Sequence, residues 1–89
     1  MPIQNIKRVV PMPEAPPGVD VQGGSYAVHY DDGSEPLIVV VYVDEGYPDA
    51  GEDHVRATAG RHVDEHGLPE QRIVIVVDRQ GNTTAVHHG

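Results

Sequence analysis

The sequence predicts a two-layer α+β fold: a mixed four-stranded sheet in the order β-β-α-β-β, one helix on one face, and an extended proline-rich N-terminal arm. Two runs, at residues 37–43 and 73–77, are apolar without interruption and rich in β-branched residues. Such runs are typical of strands that are buried on both faces. The segment between them, residues 52–66, has the pattern of a single helix.

The first 24 residues are predicted to form the arm, and residues 25–89 a single α+β domain. The arm carries five of the eight prolines, namely Pro2, Pro11, Pro13, Pro16 and Pro17. Because proline fixes φ and removes a backbone donor, we expect an extended segment. Val9 and Val10 give its first half an apolar surface. Residues 13–16 match the PxxP pattern that aromatic-lined grooves recognise. A plain packed or flexible arm is the favoured interpretation of this segment.

The weaker strands flank the two apolar ones. Residues 25–30 alternate, with Tyr26, Val28 and Tyr30 on one side, which predicts a half-buried edge strand joined by a hairpin to residues 37–43. Residues 83–87 form the closing edge strand after a turn at residues 80–82. If the helix is a crossover, the apolar strands run parallel, side by side in the centre. The alternative is a β-grasp arrangement, in which the first and last strands are central.

The helix is expected to begin near Glu52 and to end near His66, where Gly67 follows. Acidic residues in its first turn suit the positive end of the helix dipole. Its apolar stripe is narrow and consists of Val55, Ala59 and Val63. One such helix covers little of a sheet.

Composition excludes several classes of function. The formal charge of −8 disfavours nucleic-acid binding, because an acidic surface repels phosphates. Absence of cysteine rules out disulfides and thiol nucleophiles. No apolar run is long enough for a membrane span, and the N-terminus lacks a signal-peptide pattern. We therefore expect a cytoplasmic protein that needs no cofactor and contacts neither nucleic acid nor membrane.

The apolar strands indicate association. Burying a Val or Ile stabilises the fold by roughly 1.5–3 kcal/mol. Leaving the second face of the sheet exposed to water would therefore lose stability on the order of 10 kcal/mol. The arm, a second copy or another protein must cover it. The sequence predicts a small non-enzymatic interaction or assembly protein that binds copies of itself or a larger partner through a sheet face, an edge strand or the arm. The candidate interface residues are Ile38, Val40, Tyr42, Val74, Val76, Val9 and Val10.

The alternative is a metal-binding protein or a small metal-dependent enzyme. His62, Glu65 and His66 follow the pattern H-x-x-E-H, in which one helix offers two zinc ligands and a glutamate base. A third ligand is not evident in the short tail. Asp44 and Asp78, which each follow an apolar strand, can hold Mg²⁺ if they lie together. Ordinary turn chemistry explains them equally well.

Six histidines predict a response to pH. Protonating all six moves the formal charge from −8 to −2, since 6 + 6 − 14 = −2. Weaker self-repulsion at pH 5.5 than at pH 8 should raise association, which light scattering would detect.

Overall fold

The computed structural model describes residues 6–12, 23–30, 36–44 and 52–88. It contains five strands and one helix: β1 (Arg8–Met12), β2 (Ser25–His29), β3 (Ile38–Tyr42), α1 (Glu52–His66), β4 (Ile73–Val77) and β5 (Thr83–His88). This confirms the α+β class. The helix in these ranges is neither long nor apolar enough to cross a membrane.

The strands form one mixed sheet in the order β1-β2-β3-β4-β5. The central pair, β3 and β4, is parallel, while the other three pairs are antiparallel. The most apolar strands therefore lie side by side in the middle, and the β-grasp alternative is wrong.

The sheet has five strands, so the prediction of four was wrong. Residues 8–12, which the sequence placed in the arm, pair with β2 from Arg8 opposite His29 to Met12 opposite Ser25. Pro11 lies within this strand. Because β1 is at the edge of the sheet, Pro11 can be tolerated there although it donates no ladder hydrogen bond. Residues 13–22 of the arm, which include the PxxP match, lie outside the described residues.

Helix α1 has the predicted bounds and buries the predicted stripe. Val55, Ala59 and Val63 have no exposed surface. The helix ends at His66, and Gly67 follows it with a φ of 79°, which is in the left-handed region. The N–H of Gly67 donates to the Val63 carbonyl at 2.7 Å. This is the usual geometry of a glycine that closes a helix.

Both faces of the central strands are buried within the chain. On the helix side, Ile38, Val40 and Tyr42 of β3 join alternate residues of β4 and the helix stripe in one cluster. On the other side, a second cluster contains Val39, Val41, Val74 and Val76, with Met12 packed against it. None of the ten residues of β3 and β4 is more than 8% exposed. The second face is therefore covered within the chain, and Met12 of the predicted arm contributes to the cover. This agrees with the alternative in which the arm covers the face, and association stays a prediction.

The helix does not lie over the middle of the sheet. Its Cα atoms come within 8 Å of β1, β2 and β3, but not, among the described elements, of β4 or β5. Ile6, Tyr26 and Tyr30 pack against the cluster beneath it. The helix therefore covers one half of the sheet and leaves the β5 edge apart from it.

Candidate functional site

The candidate functional site is β5, the strand at one edge of the sheet. β5 pairs on one side with β4, from His88 opposite Ile73 to Thr83 opposite Val77, with a bulge near Val76. No described strand pairs with its other side. An edge strand presents unpaired N–H and C=O groups along that side, and these can template another strand.

The composition of β5 does little to block such pairing. Its sequence, Thr-Thr-Ala-Val-His-His, contains no proline, lysine, arginine or carboxylate. Proline and charged side chains are devices that natural edge strands use against unwanted pairing. Thr83, Thr84 and Val86 are exposed, and Val86 shows 40% of its surface. The Thr84 hydroxyl donates to the Val76 carbonyl at 3.2 Å, which ties the strand to β4.

A cavity of about 410 Å³ separates α1 from β5. It is lined mainly by apolar groups, and its residues are His62, His66, Gly67, Pro69, Ile73 and Val86. A more polar cavity of about 240 Å³ shares His62, His66 and Val86 with it and adds Thr58, Arg61, Glu65 and Thr83. Because α1 lies over the other half of the sheet, the helix side of β5 stays open.

The predicted metal residues lie beside this cavity, but they do not form a three-ligand site. The rings of His62 and His66 are 4.8 Å apart, and Nε2 of His66 is 3.8 Å from Oε2 of Glu65. Among the described residues, no three His, Asp or Glu side chains come together to hold a metal ion. Partial burial, with a smaller effect of His66, lowers the pKa of His62 despite the opposing effect of Glu65.

The two strand-end aspartates have separate structural partners. Asp44 accepts a hydrogen bond from Nε of Arg79. Oδ1 of Asp78 accepts the backbone N–H groups of Gln80 and Asn82, each at 2.9 Å, and so shapes the turn before β5. The Asp78 contacts are those of a turn residue, whereas Asp44 forms an ion pair with a residue distant in sequence.

A third histidine, His54, is bound to the core. Its Nδ1 and the hydroxyl of the fully buried Tyr42 are joined by a 3.0 Å hydrogen bond. Tyr42 also meets the ring of Tyr26 edge-on, with 5.8 Å between centroids. Burial, followed by repulsion from Arg61, lowers the pKa of His54. This contact anchors the first turn of α1 to β3.

Most of the predicted interface residues are part of the core. Ile38, Val40, Tyr42, Val74, Val76 and Val9 are all at most 8% exposed. Val10, on β1, is the exception at 39%. Val86 was not among the interface residues predicted from the sequence, although residues 83–88 contain no proline and no Asp, Glu, Lys or Arg.

The comparisons with known proteins found no match: no family model, curated protein or solved structure resembles this chain at a significant level.

Proposed function

We propose that this chain is a small non-enzymatic interaction or assembly protein that binds another β-strand along the outer side of β5. The supporting observation is that β5 has no described strand on its outer side and carries neither charge nor proline there. Addition of a strand to an exposed sheet edge is a recurrent mode of recognition, in which main-chain hydrogen bonds supply affinity.

The surroundings of β5 suit such binding. Each backbone hydrogen bond gained is worth roughly 0.5–1.5 kcal/mol net, so several are needed. Val86 adds an exposed apolar contact, and the open cavity beside it leaves room for apolar side chains of the added strand on the helix side. Recognition would therefore depend on backbone pairing, with Val86 as the main side-chain contact.

The polar residues support a binding role over a catalytic one. Asp44 and Asp78 are engaged by Arg79 and by the turn backbone, respectively. The buried Tyr42 hydroxyl is engaged by His54. These groups have structural tasks that require no substrate.

The test is to select extended peptides from a displayed random library against the immobilised chain. Val86→Lys should abolish binding of the selected peptides, because a lysine on an edge strand disfavours pairing. Val10→Lys is the matched control, since Val10 lies on the other edge strand and is equally exposed, at 39% against 40%. It should bind as the unmodified chain does.

Thermal unfolding of both variants checks that the fold is retained. Selection of no peptide together with a strictly monomeric chain would refute the proposal. Equal loss of peptide binding in both lysine variants would refute the assignment to β5.

A further inference from the structure

We infer that the strand that pairs with β5 is the β5 of a second copy of this chain, in antiparallel orientation. The inference rests on the proposed function and names its partner. Each copy has a formal charge of −8, so two copies repel one another over most of their surfaces. Residues 79–89, which contain β5, include no aspartate or glutamate. Two copies can therefore approach through this segment without repulsion between carboxylates of the segment itself.

The β1 edge of the sheet also contains no aspartate or glutamate, but it carries cations. β1 begins at Arg8, directly after Lys7, so an antiparallel pair of β1 strands would carry two cations at each end of the shared edge. Pro11 also removes one backbone donor from that edge. Near β5, the acidic Glu65 shares its cavity with Arg61, which offsets its charge. Charge therefore favours self-pairing at β5 over self-pairing at β1.

Symmetry restricts how two β5 strands can meet. In an antiparallel pair within one continuous sheet, the two-fold axis is normal to the sheet, so one residue lies opposite its own copy. We assign Val86 to this position because it is the exposed large apolar residue of the strand. Residues 84–88 of one copy then lie opposite residues 88–84 of the other.

This arrangement has two structural consequences. The five-stranded sheets of the two copies merge into one continuous sheet, and both α1 helices lie on the same face of it because the axis is normal to the sheet. The cavities between α1 and β5 then open on that face, one on each side of the axis. Since the paired strands are short, the association should be weak and dependent on concentration.

The experiment uses single-cysteine variants of the full chain, which has no cysteine of its own. Opposed Cα atoms in an antiparallel pair are about 4.5–5.5 Å apart, and a disulfide spans about 4.4–6.8 Å. Under mild oxidation, Val86→Cys should convert to a covalent dimer at concentrations where the matched control Val10→Cys stays monomeric. Sedimentation equilibrium should show a monomer–dimer equilibrium for the unmodified chain and for Val10→Lys, but only monomer for Val86→Lys.

The outcomes separate this inference from the proposed function. If the chain stays monomeric at every concentration while selected peptides still bind at β5, the partner is another protein and the inference is refuted, but the proposed function stands. Species that grow beyond a dimer, or equal cross-linking of the Val10→Cys and Val86→Cys variants, would also refute it. Absence of both self-association and peptide binding would refute both proposals.

Discussion

The two edges of the sheet differ in how they are protected. β1 carries Arg8 and Pro11, lies within 8 Å of α1 and buries Val9 in the core. β5 has neither charge nor proline and is not approached by the helix, although Val86 and Val10 are equally exposed. Exposure of one apolar side chain therefore does not distinguish the two edges. The β1 and β5 edges differ instead in their charged residues, in their backbone donors and in their distance from the helix.

The largest expected effect comes from truncating one valine on each edge. Val9→Ala should lower the free energy of unfolding by about 2 kcal/mol, because it removes two buried methyl groups and leaves a cavity. Val86→Ala should change it by less than about 0.5 kcal/mol, since Val86 is exposed. Urea unfolding of dilute protein measures both. Equal losses would mean that β5 contributes to the core as much as β1, which would contradict the comparison.

A smaller effect is expected at the end of the helix, where Gly67 lines the cavity next to β5. An added Cβ would meet nothing within 4 Å, so Gly67→Ala is affected only by the left-handed φ of 79°. We expect a loss of about 1 kcal/mol in unfolding free energy. Asn tolerates this conformation better than Ala, so the control Gly67→Asn should lose less. If Gly67→Ala and Gly67→Asn lower the unfolding free energy equally, backbone conformation at residue 67 is not the cause of the loss.

The smallest effect is expected from mild acid, which should act through His54 and His62. The pKa values of His54 and His62 are lowered, so below the ordinary histidine pKa of about 6.5 the unfolded chain binds more protons than the folded one. This contribution to stability is complete above that pH and is lost as the pH falls towards the lowered values.

Measuring the unfolding free energy between pH 8 and pH 5 tests this sign. Variants His54→Asn and His62→Asn should each flatten the profile, whereas the matched control His66→Asn, at an exposed site, should change it least. A profile that rises towards acid pH would contradict the expectation.

Much of the fold could be predicted from local pattern. Uninterrupted apolar runs identified β3 and β4 as the buried central pair, and the helix bounds followed from Glu52 at its start and Gly67 after its end. β1 was missed because its proline looked like part of an extended arm. Proline is excluded from central strands but not from edge strands. Nothing in the pattern of residues 8–12 indicates that they pair with β2.

The candidate site was less predictable. Periodicity showed which face of α1 is apolar, through Val55, Ala59 and Val63, but not which strands that face covers. The cavity beside β5 exists because α1 lies over β1–β3, and this depends on tertiary packing. The sequence also left open whether the arm, a second copy or another protein covers the second sheet face, because an apolar run indicates burial but not which residues provide it.

The parallel contact between β3 and β4 also bears on the order of folding. These neighbours are separated in sequence by residues 43–72, whereas the antiparallel pairs β2–β3 and β4–β5 join segments close in sequence. Closing the longer loop costs more entropy, so the two hairpins can form early and the central contact forms later. Until then the valines of β3 and β4 are exposed to solvent. The rate of refolding should therefore be limited by the docking of two preformed hairpins, and not by the formation of either one.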